Sequence, residues 1–164
     1  MMAGAASLGL LLAAEGCTKP AEDPVPVAET AVENDPVSNA PESRSLPAPP
    51  ADGVVRDVTE ADAGGLIDLK VGDTFSVSLS GVPTAGYVWA PQTLPSIVEK
   101  TAETGGPTSS DQLQPGFAGG NHWEVTVFKA VSTGEAELVM AQRRPWEDAA
   151  EPDAATFRVR LRIS

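Results

Sequence analysis

Apolar and polar residues alternate along much of the second half of the chain. Residues 75–80 read Phe-Ser-Val-Ser-Leu-Ser, and residues 157–163 alternate apolar side chains with three arginines. Because successive side chains of a strand point to opposite faces, this period of two predicts half-buried β-strands. The C-terminal strand would turn its apolar face inward and its arginines outward.

Other segments have a weaker strand-like sequence. They are residues 54–58, 66–69, 87–89, 97–100, 123–128 and 136–141, and a tight turn at residues 132–134 joins the last two. No segment predicts a helix longer than one turn. Seven or eight short strands separated by turn residues predict an all-β domain over residues 54–164, an immunoglobulin-like β-sandwich. A closed barrel is the alternative.

The N-terminal segment has the composition of a signal peptide. Residues 3–14 are uncharged, apolar and rich in small residues, and Cys17, the single cysteine of the chain, follows closely. This run is too short to span a bilayer, and the residues around Cys17 resemble a bacterial lipoprotein cleavage box. We predict a signal or lipoprotein segment over residues 1–17 with Cys17 acylated. The alternative is a cysteine within a signal peptide that is removed.

Residues 18–53 contain eight of the fifteen prolines and little apolar bulk. Such a segment cannot offset the entropy cost of ordering, and its prolines make it semi-stiff. We predict a disordered tether between an anchor and the domain, with a disordered binding motif as the alternative. The protein would then belong to the bacterial cell envelope, lipid-anchored or else periplasmic or extracellular.

The formal net charge of −12 is shared by the tether and the domain. A net-negative domain without a basic stripe argues against nucleic-acid binding. It also has no attraction to an anionic lipid surface, so we expect membrane contact only through the N-terminal lipid. We further expect a monomer.

The domain lacks the residues of a catalytic or metal site. It has one histidine, His122, and no cysteine, so a nucleophile with an adjacent base is not expected, and a structural role for His122 is favoured. Asp57, Glu60 and Asp62 lack the glycine-centred loop of a calcium site. The acidic run at residues 147–153 is typical of a solvated loop. We predict that the protein is not an enzyme and uses no metal or cofactor.

Three loop-like segments carry the remaining information: residues 82–87 (Val-Pro-Thr-Ala-Gly-Tyr), 116–120 (Gly-Phe-Ala-Gly-Gly) and 144–146 (Arg-Pro-Trp). In order and spacing they resemble the chagasin family of papain-like cysteine peptidase inhibitors, whose motifs are Asn-Pro-Thr-Thr-Gly-Tyr/Phe, Gly-x-Gly-Gly and Arg-Pro-Trp. The third motif is unchanged. Val82 and Ala85 replace Asn and Thr in the first, and Phe117 takes a glycine position in the second.

The resemblance covers about residues 66–164 and implies that the three loops enter the active-site cleft of a peptidase together. Thr84 would lie against the catalytic cysteine and histidine, Gly119 and Gly120 would pair along the cleft through their backbone, and Trp146 would anchor the interface. The implied peptidase-binding residues are Pro83, Thr84, Ala85, Gly86, Tyr87, Phe117, Ala118, Gly119, Gly120, Arg144, Pro145 and Trp146.

Several interpretations stay open on the sequence alone. Phe117 could fill an enzyme subsite, or the register of its motif could be shifted by one residue. Trp146 could be buried under its loop, whereas a core position is favoured for Trp89. The alternative functions are an envelope adhesin or carbohydrate-binding sandwich, with Tyr87, Trp123 and Trp146 as a stacking platform, and a purely structural lipoprotein.

Overall fold

A computed structural model describes residues 42–148 and 150–164. In this part of the chain the strands are β1 (Arg56–Thr59), β2 (Leu66–Leu69), β3 (Thr74–Gly81), β4 (Val88–Thr93), β5 (Val98–Pro107), β6 (His122–Ala130), β7 (Gly134–Arg143) and β8 (Ala155–Ile163). The helices of this part are three short 3-10 segments, Glu60–Asp62, Pro83–Ala85 and Ser110–Leu113. The prediction of an all-β domain is confirmed.

The strands form two four-stranded sheets. The first sheet has the order β1-β3-β6-β5 and the second has the order β2-β8-β7-β4. β1 runs parallel to β3 and β2 runs parallel to β8, whereas the other neighbours are antiparallel. Two separate sheets around a shared core make a β-sandwich, so the immunoglobulin-like prediction is confirmed and the closed barrel is wrong.

The core follows from the alternation of apolar residues in the sequence. Phe75 of β3 pairs with Phe128 of β6, and their rings stack with centroids 5.4 Å apart. Both rings are fully buried. Leu138, Val159 and other inner residues of the second sheet complete the same apolar cluster. This burial stabilises the domain by removing apolar surface from water.

The register of the strands decides where the loops lie. Gly81 at the end of β3 pairs with His122 at the start of β6, and Val88 at the start of β4 pairs with Arg143 at the end of β7. The chain segments after β3, before β6 and after β7 therefore leave the sandwich at the same end. All three predicted loops belong to these segments.

The outer face of the first sheet is partly covered by Asp57 of β1 and by residues that precede this strand. Ser76 and Ser78 are only 3% and 1% exposed although they occupy the polar positions of β3. Both hydroxyls donate to Asp57 Oδ1 at 2.7 Å, and residues 48–51 lie alongside Ser76. Ordered structure thus begins before Val54, within the segment that we predicted to be a disordered tether.

The predictions for residues 1–17, including the acylation of Cys17, and for residues 18–41 concern parts of the chain outside the described residues. Within residues 42–148 and 150–164, no helix has the length and apolar character needed to cross a bilayer.

We expect Phe128→Ala to lower the free energy of unfolding by about 3–5 kcal/mol, because it removes a fully buried ring and leaves a cavity. Urea denaturation measures this change. The control is Val131→Ala, at a position 40% exposed beyond the end of β6, which should change stability by less than about 0.5 kcal/mol. An equal loss in both variants would contradict the assignment of the core.

Candidate functional site

The first loop, residues 82–87, is a one-turn helix closed by a glycine. Pro83 opens the turn, and Gly86 ends it with φ of +84°, a left-handed conformation that favours glycine. The Ala85 N–H donates to Val82 O and the Gly86 N–H donates to Pro83 O, both at 2.9 Å. Thr84 stands exposed at the tip of this closed turn. Pro83 and Gly86 therefore have the backbone roles that the motif predicts.

Arg144 holds the third loop, residues 144–154, against the first. Its Nε donates to Ala85 O at 3.0 Å, and its guanidinium carbon lies 4.3 Å from the centroid of the Tyr87 ring. Its Nη1 also lies 2.9 Å from Glu147 Oε1. The planar guanidinium makes all three contacts at once, because its face stacks on the ring while its edge donates hydrogen bonds. The bond to the Ala85 carbonyl braces a loop that lacks the Asn and second Thr of the family motif.

Trp146 is the most exposed large apolar side chain of the described residues, at 71%. The edge of its indole lies directly over Gly86, where a methyl group would collide with the ring. Gly86 is thus required twice, for its positive φ and for the space that the indole occupies. The alternative that Trp146 is buried under its loop is wrong.

A second arginine braces the far side of the third loop. Arg143 Nε donates to Asp153 Oδ1 at 2.9 Å, and the Ala154 N–H donates to Gln142 O at 2.9 Å. The acidic run at residues 147–153 is therefore only partly the solvated loop that we predicted. Glu147 and Asp153 are the carboxylate partners of the two arginines.

The second loop, residues 108–121, joins β5 to β6 and contains the glycine-rich motif. Gly116, Gly119 and Gly120 all have φ between +83° and +89°. Phe117 is 46% exposed and its ring approaches Gly120. Leu113, which our sequence analysis did not single out, is 66% exposed in the same loop.

The structure brings the first and third loops into direct contact and sets the second loop at the same end of the sandwich. In the described part of the chain, no hydrogen bond joins the second loop to the other two. Thr84, Gly119 and Trp146 therefore belong to one end of the domain, reached from three different strand ends.

A carboxylate supports this end of the sandwich from between the sheets. Glu124 Oε2 of β6 accepts a hydrogen bond from the Trp89 N–H of β4 at 2.8 Å, which links the two sheets. Glu124 Oε1 is buried against Gly81 and has no hydrogen-bond partner among the described residues. Burial raises the pKa of Glu124, the Trp89 bond opposes this shift, and Glu103 adds to it. Nearby His122 lowers the pKa of Glu124.

The aromatic residues do not form the platform that a carbohydrate-binding face requires. Trp123 Nε1 donates to Leu46 O at 2.8 Å on the outer face of the first sheet. The Tyr87 ring lies under the Arg144 guanidinium, and Trp146 stands on the third loop. Trp89 packs against the core, as predicted, and its Nε1 donates to Ser80 O at 2.9 Å.

Two of the three carboxylates considered for calcium, Asp57 and Asp62, accept hydrogen bonds within the protein. Asp57 accepts from two serines, as described above, and Asp62 Oδ2 accepts from the Thr59 N–H at 2.8 Å. This backbone bond, together with Arg56, lowers the pKa of Asp62, and burial opposes the shift. The two carboxylates therefore tie β1 and the short helix after it to neighbouring structure.

Gln112, which was not among the predicted site residues, organises the second loop. Gln112 Oε1 accepts from the Thr108 and Ser109 N–H groups at 2.6 and 3.0 Å. Its Nε2 donates to Asn121 O at 2.7 Å and to Gly119 O at 3.3 Å. The spacing Ser109-x-x-Gln112 is that of a helix capping box, and this signal was present in the sequence.

The fold and the loops together define a β-sandwich that presents three preshaped loops at one end. The chain belongs to the chagasin family: the family model described as chagasin family peptidase inhibitor I42 matches residues 68–161. The resemblance inferred from the three motifs is thereby confirmed.

Individual relatives agree with this assignment. Amoebiasin-1 of Entamoeba histolytica is 30% identical over 108 residues, which cover 63% of this chain and 97% of that protein. The solution structure of Amebosin is 27% identical with a TM-score of 0.53, covering 66% of this chain and 97% of its own. The cysteine protease inhibitor EhICP2 of Entamoeba histolytica shares the fold, with 15% identity, a TM-score of 0.54 and coverage of 66% and 94%.

We expect Gly86→Ala to displace the Trp146 indole, because the new methyl group would occupy the position of the ring edge. ¹⁹F NMR of protein labelled with 5-fluorotryptophan should show the Trp146 signal shifted from its position in the parent, because the contact of the ring edge with Gly86 is lost. Gly116→Ala is the matched control, since Gly116 has nearly the same φ, +83°, but open space around it. An unshifted Trp146 signal in Gly86→Ala would contradict the packing of the indole edge on Gly86.

We also expect stability to fall as the pH rises above the ordinary glutamate pKa of about 4.3. Because the pKa of Glu124 is raised in the folded state, the folded protein binds this proton more tightly than the unfolded chain does. The contribution of protonated Glu124 to the free energy of unfolding is therefore complete at lower pH and is lost as the pH passes through the raised pKa. Urea denaturation across this range measures it.

Glu124→Gln should flatten this part of the pH profile, because the amide does not titrate. Glu99→Gln on the exposed face of β5 is the control and should keep the parent slope. The same slope in Glu124→Gln as in the parent would rule out Glu124 as its source.

Proposed function

We propose that this protein is a reversible inhibitor of papain-like cysteine peptidases and that it occludes their active-site cleft with the three loops. The observation that carries the proposal is the joint presentation of Thr84 and Trp146, since Arg144 ties the first loop to the third and Trp146 rests on Gly86. Membership in a family of peptidase inhibitors supports the same conclusion.

Each loop has its own role in the proposal. Thr84, exposed on a closed turn, would meet the catalytic cysteine and histidine without offering an extended, cleavable segment. Gly119 and Gly120 would approach the cleft wall with their backbone, since they have no side chain to hold it away. Trp146 supplies a large apolar area with few rotatable bonds, which is the composition of an interface anchor.

The loops are suited to tight binding because their ordering cost is met before the partner arrives. Arg144 and Gln112 bond to backbone carbonyls of the loops and so reduce the conformations available to them. An interface loop that is already ordered loses little entropy on association. Inhibitor complexes of peptidases accordingly involve small backbone changes.

Titration of the full chain against a panel of papain-like cysteine peptidases, with serine peptidases as controls, tests the proposal. We expect inhibition of cysteine peptidases alone, with activity recovered on dilution. Absence of inhibition across the panel, or cleavage of the chain within the first loop, would count against it. The site of action in the cell stays a prediction from the N-terminal sequence.

We expect Trp146→Ala to raise the inhibition constant about 30-fold or more, a loss of about 2 kcal/mol that is typical of an anchor residue. Thr84→Arg should abolish inhibition, because it introduces bulk and charge at the tip that faces the catalytic residues. Val131→Ala, at the opposite end of the sandwich, is the control and should inhibit like the parent. Parent-like inhibition by both loop variants would show that these loops do not bind the peptidase.

A further inference from the structure

The segment before the domain forms a short strand-like pairing with the start of the second loop. Ser45 and Ser109 are antiparallel bridge partners. The Leu46 N–H donates to Thr108 O, and the Ser110 N–H donates to Arg44 O, both at 2.8 Å. The Arg44 N–H also donates to Ser110 Oγ at 2.9 Å.

Two residues fasten this segment to the first sheet. Trp123 Nε1 donates to Leu46 O at 2.8 Å, so the indole ties residue 46 to β6. The Pro49 ring lies so close to Gly106 of β5 that a methyl group on Gly106 would be 2.8 Å from Pro49 Cγ. Residues 44–49 are thus bound to both strands that the second loop connects.

Gln112 links the start of the second loop, which pairs with the N-terminal segment, to the end of the loop, which contains the glycine-rich motif. Its side-chain oxygen accepts from Thr108 and Ser109, the residues that pair with the N-terminal segment. Its side-chain nitrogen donates to Gly119 and Asn121, at the end of the glycine-rich motif. One amide therefore connects the braced side of the loop to the glycine side.

The second loop needs such support more than the other two loops do. It contains three glycines with positive φ, and glycine loses more conformational entropy on ordering than any other residue. It leaves from β5, an edge strand. The first and third loops stabilise each other through Arg144, whereas no hydrogen bond within the described chain links the second loop to either of them.

We propose that residues 44–46, with Trp123 and Gln112, are positioning elements that hold the glycine-rich loop in the shape in which it meets a peptidase. This inference rests on the proposed function. The N-terminal segment lies before residue 68, where the family match begins, so the proposal assigns a role in binding to a part of the chain outside the matched domain.

Two pairs of full-chain variants test it. Gln112→Glu keeps an oxygen acceptor for Thr108 and Ser109 but removes both donors to the glycine side, and Gln114→Glu adds the same charge two residues away. Trp123→Phe and Trp89→Phe each remove one indole N–H bond to a backbone carbonyl, of 2.8 and 2.9 Å. Of these two tryptophans, only Trp123 donates to the N-terminal segment.

The first readout does not involve a peptidase. ¹⁵N relaxation measures the order parameters of the Gly116, Gly119 and Gly120 amides. We expect these values to fall from about 0.85 to below about 0.6 in Gln112→Glu and Trp123→Phe. They should stay at the parent level in Gln114→Glu and Trp89→Phe, and near-parent chemical shifts in the strands show that each variant is folded.

The second readout is inhibition. Gln112→Glu and Trp123→Phe should weaken inhibition about tenfold, mainly through faster dissociation, whereas Val131→Ala, at the opposite end of the sandwich, should inhibit like the parent. Unchanged order parameters in both test variants would show that Trp123 and Gln112 do not hold the glycine-rich loop in place. Lower order parameters of the glycine amides together with parent-like inhibition would show that ordering of this loop does not contribute to peptidase binding. If the parent inhibits no peptidase, the proposed function fails. The order parameters alone still decide whether Trp123 and Gln112 hold the glycine-rich loop.

Discussion

The arrangement of this protein depends on the register with which two pairs of strands meet. The pairing of Gly81 with His122 and that of Val88 with Arg143 bring three strand ends to one end of the sandwich. Buried apolar residues on the inner faces keep that register, because a shift by one residue would turn them toward solvent. The site is therefore a consequence of core packing, although none of its loops belongs to the core.

Arg144 and Gln112 stabilise the loops in the same way, because each has a side-chain nitrogen that donates to backbone carbonyls. Arg144 donates to the first loop from the third, and Gln112 donates to two carbonyls across the second loop. Loop carbonyls have no strand partner, and bonding them limits the conformations of the backbone without filling the tip with side chains. The tips of the loops stay exposed.

One carboxylate near the loops is partly unfavourable to folding. Glu124 places a carboxylate between the sheets, where one of its oxygens finds no partner among the described residues. A buried oxygen without a hydrogen bond is unfavourable, but its other oxygen joins β6 to the backbone of β4 directly below the first loop. Cross-linking the sheets at that point limits their separation where the loops are attached.

Local pattern was enough to predict the all-β domain, the glycine and proline turns and the three motifs, because these depend on residues close together in the chain. It did not predict that Arg144 reaches Ala85, 59 residues away, or that Arg44 pairs with Ser110, 66 residues away. Composition also suggested that residues 44–50 would be disordered, since their few apolar groups offer little to bury by themselves. Only the tertiary structure supplied the partners, the free N–H and carbonyl groups of the loop and the Trp123 indole, that make ordering them favourable.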